Sequence, residues 1–235
     1  MKILGIDTSG MVATVAVVCD DVLLAEFSVN YKKTHSETLM PMLDEIIKMT
    51  GLDLNDIDAI AVAGGPGSFT GLRIGSATVK GLGMALDIPI VSVPTCHALA
   101  YNLWGAKDIV CPIMDARRNQ VYTGIYSFNG EKMNCLMDQS AMDIRELIQI
   151  LNRMDGRIIF TGDGVPVFED IIAEEMKNDI LFAPAHLNRQ RAGAVATLGL
   201  LYYMEGHFER AEEHKPVYLR KSQAEREREE RMKDS

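Results

Sequence analysis

The spacing of apolar residues changes period several times along the chain, and each change marks an element. Ile3 to Asp7, Val12 to Val18 and Val22 to Val29 are β-rich runs, separated by the turn-forming Thr8-Ser9-Gly10 and Asp20-Asp21. Helical spacing follows. Thr34 and Glu37 form the T-x-x-E start signal, in which the carboxylate reaches back to the capping residue. Leu39, Met42, Leu43, Ile46 and Ile47 then make one apolar stripe that ends at Gly51. Ile57 to Ala63 is nearly all apolar, the pattern of a strand buried on both faces within a parallel part of a sheet. A glycine-rich bend at Gly64 to Gly67 leads into a helix over Thr70 to Leu86. Ile90 to Val93 is a further strand, and Pro94 opens a helix through Leu103.

The pattern then starts again. Ile109 to Asp115 is a strand ending in Asp, like Ile3 to Asp7. A turn at Arg117 to Asn119, a strand at Val121 to Tyr126, a hairpin signal at Asn129-Gly130 and a return strand at Lys132 to Met137 follow. Helices are predicted over Met142–Leu151, Val167–Met176 and Ala192–Tyr203, with a strand at Arg157 to Thr161. Two halves, each a β-meander followed by alternating helix and strand, predict an α/β protein of two related lobes, residues 1–104 and 105–219, the second less regular. Residues 220–235 mix charges of both signs with almost no apolar residue, so they bury no core face and read as frayed helix or disorder.

Composition narrows the function. The 235 residues carry 33 acidic and 24 basic side chains, a net charge of −9, which argues against an autonomous nucleic-acid binder while leaving room for one part of a complex. No apolar run approaches the roughly 18 residues of a membrane helix. The first residues lack a cleavage site, so a cytoplasmic protein is expected. Cys19, Cys96, Cys111 and Cys135 are scattered without a C-x-x-C pair and read as reduced, mostly buried small hydrophobes.

Gly64-Gly65-Pro66-Gly67-Ser68-Phe69-Thr70-Gly71-Leu72-Arg73-Ile74-Gly75 is the most distinctive segment. Two readings stand. A glycine-rich strand-to-helix turn can cradle an anion, or it can let the helix approach the fold closely. No G-K-[ST] follows, and Pro66 removes a donor. The helix after it is small or apolar on every side, so either the fold or a partner must cover it. Met40, Leu43 and Ile47 on the first helix, with Ile74, Ala77 and Gly81 on the second, form the candidate partner surface. Asp7 and Asp115 end equivalent strands and could hold a metal–nucleotide or cap turns. The five histidines make no H-E-x-x-H or H-x-x-x-H pair, Ser68 lacks the glycines of a nucleophile elbow, and Cys96-His97 reads as a buried thiol beside a partly exposed ring. No catalytic or metal-binding residue is assigned.

The long glycine motif resembles the signature of the TsaB (YeaZ) family. Ile3-Leu4-Gly5-Ile6-Asp7-Thr8-Ser9, His35-Ser36-Glu37, Met114-Asp115-Ala116-Arg117-Arg118 with Val121-Tyr122, and Pro216-Val217-Tyr218-Leu219-Arg220 agree with it in register. The resemblance implies two RNase H-like lobes of the sugar kinase/heat-shock ATPase/actin superfold, and a role in placing threonylcarbamoyl on the adenosine beside the anticodon. It implies a non-catalytic partner of the transferase TsaD, with TsaE as ATPase and TsaC or its longer relative supplying the activated intermediate. The interface implied is helices 37–50 and 70–86, which also join two copies when the chain is alone. No cofactor is expected on this chain by itself, ATP or ADP only in the complex with TsaD and TsaE, tRNA only through the complex, and no membrane contact. TsaD-like chains carry an H-x-x-x-H metal pair after the strand equivalent to Ile90–Val93; here His97 has no histidine four residues away.

Overall fold

The computed structural model describes residues 1–31 and 33–220; the charged tail expected over 220–235 thus lies, except for Arg220, outside the described residues. The first lobe contains β1 (Lys2–Asp7), β2 (Ala13–Cys19), β3 (Val22–Val29), α1 (His35–Thr50), β4 (Ala59–Gly65), α2 (Phe69–Leu86) and β5 (Ile90–Pro94). Its sheet has the order β3-β2-β1-β4-β5, antiparallel through β1 and parallel beyond it. α3 (Thr95–Tyr101) leads to β6 (Ile109–Asp115), β7 (Gln120–Asn129), β8 (Lys132–Asp143), α4 (Ile144–Leu151), β9 (Ile158–Thr161), α5 (Val165–Glu175), β10 (Ile180–Phe182) and α6 (Ala192–Met204). The second sheet has the order β10-β9-β6-β7-β8 with the same sense changes about β6. Each lobe therefore repeats one topology, the two RNase H-like lobes of the superfold that the motif resemblance implies.

Local chemistry sets the helix starts. Glu37 accepts from the Thr34 N–H at 2.9 Å, and Gly51 ends α1 in the left-handed region. The α1 stripe then buries Leu39, Met42, Leu43 and Ile46 with Leu4, Ile6, Val15 and Val79, on one face of the first sheet. Ile3, Ala59, Ala61 and Val93 occupy the other face with Val195, Ala196 and Leu198 of α6. Burial on both faces is why β1 and β4 are apolar without alternation.

Three elements depart from the sequence reading. α6 follows the second lobe in the chain but packs on the first sheet. A Cβ on Gly5 would lie 2.5 Å from the Ala192 carbonyl oxygen, and one on Gly199 would lie 2.3 Å from Ala61 Cβ, so these positions admit only glycine at such a close approach. Met142 lies in β8 rather than in a helix, because the ladder with β7 continues to Asp143, whose carboxylate then caps α4 through the Arg145 N–H at 2.8 Å. β10, three residues long, is too short to show a period.

The β6–β7 turn holds Arg117, Arg118 and Asn119 at φ 65, 57 and 58°. For L-residues that region costs roughly 1–2 kcal/mol each. Cys96 and Cys111 are buried, Cys19 is half-buried and Cys135 exposed, all as free thiols. Among the described residues no helix is long and apolar enough to cross a membrane.

Candidate functional site

The glycine motif docks α2 onto the turn after β1. Ser68 N–H donates to the Ser9 carbonyl at 2.6 Å, and Thr8 Oγ1 donates to the Gly71 carbonyl at 2.8 Å. A Cβ on Gly71 would sit 2.0 Å from the Thr8 carbonyl oxygen, one on Gly67 2.3 Å from the Ser9 carbonyl oxygen and one on Gly75 2.5 Å from Thr8 Oγ1. Gly65, at φ 113°, passes under the Val217 carbonyl, while Gly64 accepts from the Val217 N–H at 2.7 Å. Of the two readings of the motif, this geometry is the close-packing one: Gly67 and Gly71 lie against the Thr8–Ser9 backbone, Gly75 against the Thr8 hydroxyl, and Gly64 and Gly65 against Ser92 and Val217. His35 reaches the same turn, with Nε2 2.9 Å from the Gly10 oxygen.

The paired strand-end carboxylates cap turns. Asp7 Oδ1 accepts from the Ser9 N–H at 2.8 Å and from Ser9 Oγ at 2.6 Å; Asp115 Oδ1 accepts from the Arg117 N–H at 2.8 Å. Asp7 is fully buried, and burial pushes its carboxyl up to about 6, with the Ser9 hydrogen bonds opposing and the charge of Asp163 adding to the rise. Asp163 is itself raised, chiefly by burial. Asp163 was not singled out by the sequence, although a Gly-Asp-Gly turn between strand and helix was a usable signal. Gln190, packed against Gly10, carries no local signal at all. Asp7 Oδ2, Asp163 Oδ1 and both polar ends of Gln190 are buried without a protein hydrogen-bond partner among the described residues.

Between the lobes, above these carboxylates, opens a cleft of about 890 Å³ whose walls include His35, Phe69, Ile74, Tyr122, Asp163 and Tyr218. The last described residues cross its mouth. Tyr218 packs on Phe69 with ring centroids 4.5 Å apart, Arg73 lies 4.1 Å over the other part of that stack, and Arg220 donates to the Ala116 carbonyl of the second lobe.

The helix pair gives a different surface. Met40 is 49% exposed and Met84 63%, and Ala77 and Gly81 are exposed along the same stripe of α2 as Arg73. Ile47 and Ile74 are half-buried against the core. Leu43, expected at a partner surface, is only 2% exposed and belongs to the core below α1, because it falls on the inward side of the stripe. α2 is thus covered by the fold at Leu72, Ser76 and Val79 and left uncovered on its small-residue side.

The Cys96–His97 pair forms no nucleophile. Burial holds the Cys96 thiol far above its ordinary value. His97 Nδ1 is 2.9 Å from the Tyr202 hydroxyl, its ring lies edge-on to Tyr126, and burial lowers its proton affinity. Among the described residues, no three His, Cys, Asp or Glu side chains are grouped to hold a metal ion.

Comparison with known proteins agrees with the motifs. Residues 23–228 match the family described as TsaD: tRNA N6-adenosine threonylcarbamoyltransferase. The tRNA threonylcarbamoyladenosine biosynthesis protein TsaB of Bacillus subtilis (strain 168) is 34% identical over 228 residues, 96% of this chain and 96% of its own. The TsaB protein of Escherichia coli (strain K12) is 28% identical over 236 residues, 95% of this chain and 96% of its own. Among solved structures, YeaZ from Pseudomonas aeruginosa superposes with a TM-score of 0.76 at 27% identity, covering 93% of this chain and 99% of that one.

Proposed function

The chain belongs to the TsaB (YeaZ) family, and from that premise we propose that it is the non-catalytic partner that binds and activates TsaD. It thereby takes part in forming threonylcarbamoyladenosine beside the anticodon of tRNA. The observation that carries this reading is the uncovered side of α2, Ala77, Gly81 and Met84, beside Met40 of α1. Small residues let a partner helix approach closely, and methionines adapt to its shape. The same side would join two copies when TsaD is absent.

A partner that binds only the competent conformation of an enzyme shifts its population toward that state. Such a role needs a rigid surface and no reacting group. α2 is held rigidly by its docking on Thr8 and Ser9, and Asp7 and Asp115 are engaged in closing turns. In this reading TsaE, TsaC or its longer relative, and ATP or ADP belong to the assembly in the cytoplasm rather than to this chain.

The test is reconstituted threonylcarbamoyl transfer to unmodified tRNA with cognate TsaC, TsaD and TsaE, with and without this chain. Product only in its presence supports the activating role. Equal product without it rejects that role.

A further inference from the structure

We propose that the lip of the interlobe cleft is a docking surface for an RNA strand. The chain as a whole is acidic, with a net charge of −9, yet the lip is cationic. Lys33, Arg117 and Arg220 line the cleft, and Arg73 borders it through Phe69. Arg117 is 84% exposed and meets Asp115 through Nη1 at 3.2 Å, so most of its donors face outward.

The turn that carries Arg117 makes this placement notable. Residues 117 to 119 all occupy the left-handed region, where glycine meets no steric conflict. The chain instead has Arg at two of the three positions. The Arg117 guanidinium is therefore held at the lip against the backbone preference, tied only through Nη1 to Asp115.

Aromatic faces accompany the charges. Tyr31 is 73% exposed and Tyr218 39% exposed at the same mouth. Cations that track a backbone, interleaved with rings on which bases stack, are the pattern of single-strand recognition. The floor argues for a strand rather than a compact phosphate ligand. Asp115 and Asp163 line the cleft, and the buried Asp7 lies within the field of Asp163, so like charge repels a phosphate from the depth of the cleft and leaves the rim as the favourable place. A polyanion crossing the rim satisfies both.

This proposal rests on the reading of the chain as part of a tRNA-modifying assembly, and its test separates the two. The full chain is combined with its TsaD partner, and a fluorescently labelled unmodified tRNA transcript is titrated at several salt concentrations. Lys33→Glu with Arg117→Glu is compared with the charge-matched control Lys107→Glu with Arg153→Glu, exposed positions beyond the other end of β6. The lip pair is expected to weaken binding about tenfold or more and to reduce the slope of log affinity against log salt by about 1.5, the value for two lost phosphate contacts. The control pair is expected to leave both near wild type. Equal weakening by both pairs, or by neither, overturns the proposal. Association with TsaD is read in the same samples: a wild-type chain that fails to associate refutes the activating role, whereas normal association with no lip-dependent loss of RNA refutes this inference alone.

Discussion

Asp7 and Asp115 make the same hydrogen bond in the two lobes, each accepting the N–H two residues further on at 2.8 Å. The turns they close then diverge. After Asp7 the chain is covered by Gly67, Gly71, His35 and Gln190; after Asp115 it rises into the exposed turn of Arg117 to Asn119. One pseudosymmetric device thus anchors a packed floor in one lobe and an open lip in the other.

The buried carboxyl gives a pH dependence of known sign. Asp7 keeps its proton to about 6 in the fold, against a value of 3.8 for an unperturbed carboxyl. The folded state binds more protons between those values, so this group's contribution to stability is present below the lower value and is lost as pH rises through the higher one. Asp7→Asn keeps an oxygen acceptor for Ser9 and removes the ionisation. Urea unfolding is expected to show the variant more stable than wild type at about pH 7.5, by on the order of 3 kcal/mol, with little difference at about pH 4. A difference independent of pH would contradict this origin.

Two glycines of α2 should respond to alanine in opposite ways. A Cβ at Gly71 meets the Thr8 carbonyl oxygen at 2.0 Å, and that oxygen belongs to backbone, so Gly71→Ala is expected to cost about 3 kcal/mol or more. A Cβ at Gly81 meets nothing within 4 Å, and Gly81→Ala is expected to stabilise the chain by about 0.5–1 kcal/mol through helix propensity alone. Thermal or urea unfolding of the two variants separates them.

Charge on the uncovered side of α2 tests the partner surface. Ala77 is exposed whereas Ile74 packs partly on the core, so Ala77→Arg is the clean variant. It is expected to leave the unfolding midpoint within about 2 °C of wild type, as surface changes do, and to weaken association with TsaD by about a hundredfold, the effect of an unpaired charge at a desolvated contact. Analytical ultracentrifugation of the mixture checks the association, and unaltered affinity would place the interface elsewhere.

Glu26 fastens α6 to the first lobe. It accepts from Arg191 Nε at 3.1 Å and from the Gly193 N–H at the start of α6 at 2.8 Å, with its own side chain 10% exposed. Arg191 Nη2 donates to it as well, so Glu26→Ala removes three bonds and leaves the Arg191 guanidinium half-buried and unpaired, and a loss of about 2 kcal/mol in urea unfolding is expected. Glu26→Gln keeps the Gly193 contact and should lose roughly half as much.

Nearest-neighbour patterning determined much of this protein. The five strands of the first lobe, the α1 start at Thr34 and Glu37, and the repeat of the meander at Ile109 all follow from short β-rich or apolar runs, helical spacing and turn chemistry, which act over a few residues. The family motif was legible for the same reason, since it is one continuous segment of the chain. Tertiary structure alone decided the rest. α6 lies 178 residues from Thr14, which accepts its first N–H, and its largely apolar sequence shows no preferred face, so the glycine-sized approaches at Gly5 and Gly199 select the first sheet. Leu43 and Met40 share one helix, and which of them meets solvent depends on where the sheet lies. Asp163 reaches Asp7, and Gln190 reaches Gly10, from distant segments. Local spacing carries no information about which distant carboxylates meet, because their meeting is set by how the two sheets dock.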